Sequence, residues 1–189
     1  MNIALLEHLR DARGAFVPWP TLRLLWPEAR HDLDELTEFG FTFELHPFEG
    51  VAFRAHPTRL CPDQIEWNLG TSRIGRQIAV WNRVASTNDL AARACSSRSN
   101  DGLVILAEEQ TAGRGSHGRS WSAPRESSIL MSVIIFPSGP LDDPAWLTCL
   151  AAVAVAEVVS ETCKVDARIK WPNDVRINRC KIAGILVER

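Results

Sequence analysis

Gly113, Arg114, Gly115, Gly118 and Arg119 fall within the short run Gln110-Thr111-Ala112-Gly113-Arg114-Gly115-Ser116-His117-Gly118-Arg119-Ser120-Trp121. Glycine lets backbone N–H groups approach an anion closely, and arginine meets phosphate or carboxylate with a planar fork of donors. Together they suggest an anion clasp. No Gly-Lys-Ser/Thr closes the run as a Walker loop requires, and the G-x-G-x-x-G through Arg114 and His117 has no helical pattern behind it, so neither nucleotide fingerprint applies. A solvated turn is the alternative that these residues alone leave open. A second group, Lys170-Trp171-Pro172-Asn173-Asp174, sets a lysine beside an aromatic and just before a proline turn. Its cation is pinned at a strand end. A third group, Ser86-Thr87-Asn88-Asp89, opens a helix with Ser86 and Asp89 three apart, so capping accounts for the hydroxyls as well as ligand contact does.

The elements that must position these groups follow from periodicity. Ile78 to Trp81, Leu103 to Ala107, Ile129 to Phe136 and Arg168 to Lys170 read as strands, and Asn88 to Cys95 as a helix. Val175 to Ile177 and Lys181 to Val187 flank the Asn178-Arg179 turn as a hairpin, with Gly184 where close backbone approach is possible. The apolar run Leu147 to Val159, within a helix predicted over Trp146 to Val159, is too short to span a membrane and reads as a buried core helix. Ahead of this region, Ile3, Leu5, Leu6 and Leu9 have helical spacing before Gly14, Thr21 to Trp26 make a short second segment, and Pro27 opens a third helix through Leu33, Leu36 and Phe39 to Gly40. Phe41, Phe43 and Leu45, then Val51 and Phe53, alternate as two strands around a turn from Pro47 to Gly50. Three small helices and a hairpin resemble a winged helix-turn-helix module. The helix that would enter a DNA groove carries Glu28, Asp32, Asp34, Glu35 and Glu38 against Arg30, so DNA binding is not expected and a structural or protein-contacting role is preferred.

Composition bounds the remaining choices. The chain has 189 residues, 46% hydrophobic and 23% charged, which suits globular rather than disordered sequence. A formal net charge of −2 offers no global field for anions, so any anion site must be local. Residues 1 to 60 hold six Arg against nine acids and are the more acidic part. The N-terminus lacks the uninterrupted apolar core of a secretory signal. Cys61, Cys95, Cys149, Cys163 and Cys180 are odd in number and never form C-x-x-C, which fits reduced thiols in a cytoplasmic protein. Pro57 and Pro62 flank a connector, giving a module over 1–62 and a second domain over 66–189.

Residues 78 to 188 resemble the biotin protein ligases, which charge biotin with ATP and attach it to a lysine of a carrier protein. Four blocks carry the resemblance in order: Ser86-Thr87-Asn88, Q-x-x-G-R-G-x-x-G-R-x-W from Gln110 to Trp121, K-W-P-N-D from Lys170 to Asp174, and K-I-A-G-I-L-V-E from Lys181 to Glu188. The acidic front module also fits, because bifunctional members of this family carry a winged helix. The fold class is therefore α/β (α+β): a winged-helix-like module followed by a mixed-sheet catalytic domain of the biotin ligase/lipoate ligase type, incomplete at its C-terminus.

The resemblance implies an ATP-dependent ligase with biotin and ATP as substrates, Mg²⁺ as cofactor and a biotin-accepting carrier protein as partner. It implies biotin contacts for Ser86, Thr87, Gln110, Gly113, Arg114, Ser132 and Lys170. Arg114, Gly115, Arg119, Trp121 and Lys170 match nucleotide-binding positions, and Lys170 and Arg114 match the catalytic ones. No protein-held metal and no membrane partner are implied, and a homodimer is left open. Two positions depart from the family: Ser116 stands where a second arginine is common, and Leu130 where a large aromatic is common. Family members continue past the block ending at Glu188 into a G-x-G-x-N strand and a small β-barrel, so the resemblance predicts weak or no activity for a chain that ends at Arg189. Two alternatives stand beside it: a lipoate ligase or octanoyl transferase relative, and a noncatalytic biotin-responsive regulator.

Overall fold

The computed structural model describes residues 1–139, 143 and 145–189, which divide into two units, Met1–Val80 and Trp81–Arg189. In the first, helix α1 spans Ile3–Asp11 and starts on Asn2, whose side chain accepts from the Leu5 N–H at 3.1 Å. Helix α2 spans Trp19–Leu25, with prolines at its start where no intrahelical N–H is needed. Helix α3 spans Ala29–Phe39 and ends on Gly40 in the left-handed region. Pro27, expected in the first turn of this helix, lies outside it, one residue before the N-cap Glu28.

Strands β1 (Thr42–His46) and β2 (Gly50–Ala55) form the expected antiparallel hairpin, with Phe43 opposite Phe53. Val17 adds a further bridge to Val51 through reciprocal backbone bonds of 2.8 and 3.0 Å. Gly50 makes that approach possible, because a Cβ there would lie 1.9 Å from the Val17 carbonyl oxygen. Leu5, Leu9, Trp19, Leu22, Leu33 and Val51 form one core cluster; Ile3, Leu6, Leu36, Phe41 and Cys61 form another. A short helix α4, Pro62–Glu66, follows Cys61 within this unit.

Strand β3 (Ile78–Trp81) lies at the unit boundary, and helix α5 (Thr87–Ala94) follows it with Ser86 as N-cap. Strand β4 (Val104–Ala107) is buried throughout. A two-residue ladder pairs β5 (Gly113–Arg114) with β6 (Ser120–Trp121) around a short 3₁₀ turn at Ser116–Gly118. Strand β7 (Leu130–Val133) pairs antiparallel with β4, setting Ser132 opposite Ile105. The predicted strand Ile129 to Phe136 is thus shorter than its apolar run.

Helix α6 spans Ala145–Cys163, and strands β8 (Arg168–Lys170), β9 (Asp174–Ile177) and β10 (Cys180–Gly184) form a second sheet in the order β10-β9-β8. The Asn178-Arg179 turn carries positive φ at both residues, as a tight hairpin requires. Two expectations are corrected here. Helix α6 is longer than predicted and is not a buried core helix: only Ala152 and Ala156 are buried, against Val175, while Trp146, Leu150 and Val158 are more than half exposed. Its apolar residues surround the helix, and a sheet of three short strands covers only the small-residue stripe. By length and composition alone α6 is also long enough to cross a membrane, contrary to the expectation drawn from the shorter run. The last strand, expected to reach Val187, ends at Gly184; one position further Ile185 still faces Asn173, whose carbonyl accepts from the Ile185 N–H at 2.9 Å and whose side-chain amide donates to the Ile185 carbonyl at 3.1 Å.

Candidate active site

The start of α5 projects Ser86, Thr87 and Asn88 onto the sheet, and all of the contacts that follow lie within the second unit. Ser86 is buried and caps the helix through its side chain, which accepts from the Asn88 N–H at 3.3 Å. Asp89, predicted to complete a capping box, instead turns to Arg114. Thr87 donates twice to the Gln110 side-chain oxygen, from its backbone N–H at 2.7 Å and its hydroxyl at 2.9 Å. Ser132, arriving from β7, donates to the Thr87 hydroxyl at 2.8 Å and lies in a short contact with the Asn88 side-chain oxygen. The three hydroxyl residues are buried. With its oxygen occupied by Thr87, Gln110 keeps its amide N–H donors for another partner.

The glycine-arginine loop is a closed hairpin whose tip, His117 to Ser120, is exposed to solvent. Gly115 N–H donates to the Arg119 carbonyl at 2.6 Å, and Arg119 folds back to donate to the Ser116 carbonyl at 3.1 Å. Gly113 has a stereochemical reason to be glycine, since a Cβ would lie 2.5 Å from the Trp121 carbonyl oxygen and 3.0 Å from the Gln110 amide nitrogen. Arg114 points across to two carboxylates: Nη1 donates to Asp89 at 2.5 Å, and Nε and Nη2 donate to Glu188 at 3.2 and 2.9 Å. Hydrogen bonds from Glu188 and Asp89 raise its pKa further above the ordinary arginine value, and the bond from Arg114 holds Glu188 below the usual carboxylate range. Glu188 also accepts from the Asn88 amide at 2.9 Å.

The K-W-P-N-D corner approaches the same hairpin. Asn173 donates to the Ser116 hydroxyl at 3.1 Å, and Lys181 lies 5.1 Å from the centre of the Trp121 ring while pairing with Asp174 at 2.7 Å. Lys170 ends β8 directly opposite Asp174 in the ladder. The Lys181 hydrogen bond is the main cause that lowers the Asp174 pKa, with the Lys170 and Arg176 charges adding to it. The structure therefore gathers Ser86, Thr87, Gln110, Ser132 and Arg114 into one bonded cluster, and ties Gly113, Gly115, Arg119 and Trp121 to it through the hairpin. Lys170 belongs to the neighbouring Asp174–Lys181 group and has no direct bond to Arg114. Sequence reasoning missed Asp89, Glu188, Asn88 and Lys181 as site residues, although each lies inside a quoted motif. Capping explained Asp89 away, and nothing in the spacing marks a glutamate many residues downstream as an arginine partner.

Residues 80–189 match the biotin/lipoate A/B protein ligase family. The chain belongs to that family. It is 33% identical over 156 residues to the bifunctional ligase/repressor BirA of Bacillus subtilis, covering 82% of this chain and 48% of that protein. It is 41% identical over 140 residues to the biotin–[acetyl-CoA-carboxylase] ligase of Mycobacterium tuberculosis, covering 69% of this chain and 53% of that protein. Among solved structures, the biotin protein ligase from Aquifex aeolicus in complex with biotin and ATP aligns with a TM-score of 0.52 at 27% identity, over 60% of this chain and 47% of that one. The chain spans about half the length of the curated relatives it matches. The mixed helix-and-sheet architecture expected of the second domain agrees with this membership.

Proposed function

We propose that this chain carries the nucleotide and biotin contacts of an ATP-dependent biotin protein ligase. The biotin carboxylate attacks the α-phosphorus of ATP to give biotinyl-5′-AMP and pyrophosphate; a carrier-protein lysine then attacks the acyl carbon and AMP leaves. The observation that supports this reading best is the junction of a buried neutral cluster, Thr87–Gln110–Ser132, with a guanidinium at Arg114. A ureido ring needs neutral donors and acceptors, which the Gln110 amide and the hydroxyl lone pairs supply. A carboxylate and a triphosphate need cations between them. Two unit charges 4 Å apart repel by about 4 kcal/mol at an effective dielectric near 20, so one well-placed cation is worth roughly several-hundredfold in rate.

Arg114 and Lys170 have that role in the proposal, Gly113 and Gly115 let the hairpin close over the adenylate, Arg119 neutralises the outer phosphates, and Trp121 fixes the hairpin against Lys181. Closure would also keep water from the mixed anhydride. Mg²⁺ would reach the site on the triphosphate. Among the described residues no group of three or more His, Cys, Asp or Glu could hold it, and both carboxylates nearest Arg114 are engaged by that arginine, so no step is assigned to a protein-held metal.

The first unit, three helices and a hairpin, is proposed to be a winged-helix module. Its α3 offers DNA little: Arg30 lies 5.0 Å from the Trp19 ring, and Asp32 accepts from Asn2 at 2.8 Å among further acids. The free cysteines fit a cytoplasmic location.

Thermal shift with biotin, lipoate and octanoate tests the substrate class; biotin alone should raise the melting temperature, and a rise with lipoate instead would move the chain to the lipoyl branch of the family. Lys170→Ala should reduce biotin-dependent pyrophosphate exchange about a hundredfold or more while leaving the melting temperature within a degree or two. Unchanged exchange would refute the role given to Lys170.

A further inference from the structure

The side-chain bonds of the site form one unbroken path from Gln110 through Thr87, Ser132, Asn88 and Glu188 to Arg114 and Asp89. Ser132 has one hydroxyl hydrogen, which serves either Thr87 or Asn88, and the path changes polarity there. Thr87 gives its only hydroxyl hydrogen to Gln110, so it can only accept from Ser132. Asn88 uses its oxygen on the Ser132 side, so its amide hydrogens face Glu188. Glu188 joins the two halves, with one oxygen taking both Asn88 and Arg114.

Charge makes this junction more than a scaffold. Arg114 carries one positive charge and meets two carboxylates, so the trio is net negative, and its Nε, Nη1 and Nη2 are all donating already. A guanidinium has five N–H hydrogens and three are engaged here, so withdrawal of one carboxylate enlarges the set of donors that a phosphate can use. Asp89 is fixed in the first turn of α5, whereas Glu188 lies past the end of β10, outside any ladder. Departure of Glu188 also releases the Asn88 amide and frees the Ser132 contact to re-pair.

We infer that Glu188 is a positioning residue that parks Arg114 beside the polar cluster in the ligand-free chain and yields it to an anionic ligand, passing the exchange to Ser132 through Asn88. The inference rests on the nucleotide reading only for the identity of the anion. Its test uses the full chain at low ionic strength, where partly exposed charges are least screened. Hydrogen exchange of residues 113–121 is measured without ligand, and ATP affinity is measured by calorimetry without metal, for wild type, Glu188→Gln, Glu188→Asp, Arg114→Ala and the Glu188→Gln/Arg114→Ala double variant.

Glutamine keeps an acceptor for Asn88 and removes the charge. It should speed loop exchange several-fold and tighten ATP binding about three- to fivefold, a gain that disappears without Arg114. Aspartate should stay within about twofold of wild type, because it keeps the charge. Unchanged loop exchange in Glu188→Gln, or ATP binding that weakens while Arg114→Ala also weakens it, overturns the inference and makes Glu188 a structural brace. If loop exchange quickens as expected but Arg114→Ala binds ATP as wild type does, or if neither protein binds ATP, parking stands and the nucleotide reading falls.

Discussion

Thr87→Val isolates the hydrogen bonding of the buried cluster from its packing, because valine keeps the shape and removes the hydroxyl. Thr87 is buried, and its hydroxyl both donates to Gln110 at 2.9 Å and accepts from Ser132 at 2.8 Å. A stranded buried polar group costs about 1–3 kcal/mol. Neither partner is stranded here: Gln110 keeps the Thr87 N–H at 2.7 Å, and Ser132 keeps the Asn88 oxygen. The Ser132 hydrogen released from Thr87 turns to Asn88, so the loss is about one net hydrogen bond at about 0.5–1.5 kcal/mol, less a gain from burying methyl in place of hydroxyl, for a total near 0.5–1 kcal/mol. For a unit of about a hundred residues this lowers the melting temperature by about 2–8 °C. Urea titration followed by near-ultraviolet dichroism should show a lower midpoint with an unchanged slope. Combining it with Ser132→Ala should give a coupling energy of about 0.5 kcal/mol or more, because the two hydroxyls share a bond. Strict additivity, or no shift in midpoint for Thr87→Val, would refute the bonded cluster as the organiser of this site.

Gly113→Ala forces a Cβ to 2.5 Å from a backbone oxygen of the facing strand, so the hairpin must open; a cost of about 1–3 kcal/mol should appear as faster exchange at Gly113 and Trp121 and at least tenfold weaker ligand binding. Gly50→Ala is a harsher change in the other unit, combining a φ of +116° with a 1.9 Å approach to the Val17 carbonyl, and should cost about 3 kcal/mol or more by calorimetry of the first unit's transition. Acidification should release the hairpin in steps. Because Glu188 and Asp174 are held below their unfolded values, the stability they contribute is full above the ordinary carboxylate range of about 4 and is lost as pH falls through the lower folded values. Carboxyl carbon shifts followed by NMR should show both midpoints below that range; a midpoint at or above it would remove the ion pairs from the account.

The elements legible in the sequence are those whose local rule and tertiary role agree. Strand β8 and the Asn178-Arg179 turn stand where alternation and turn chemistry put them, and α3 stops at Gly40 because the left-handed C-cap needs glycine. Where a residue answers to a partner far along the chain, local rules mislead. Apolar content alone says that α6 should be buried, but burial depends on how much sheet lies beneath it, and three short strands cover little more than Ala152 and Ala156. The apolar run from Lys181 to Val187 reads as one strand, yet the ladder ends at Gly184, and one position on the Asn173 side chain takes the bond to the Ile185 carbonyl.

The chemistry follows the same division. Residue types marked the cations as candidates, with a solvated turn left open for the glycine-arginine run, but they did not disclose the counter-charges. Asp89 satisfies a capping rule on paper, and only the fold shows its carboxylate on Arg114 while Ser86 alone caps α5. Glu188 closes an apolar block that reads as a strand, and only the fold shows its carboxylate on Arg114. A cation motif can thus be read locally, while the carboxylates that pair with it are set by topology. Since Arg114 is doubly paired, the proposed affinity for an anion is a difference between two sets of bonds, and substitutions at either carboxylate should move it as directly as substitutions of the arginine itself.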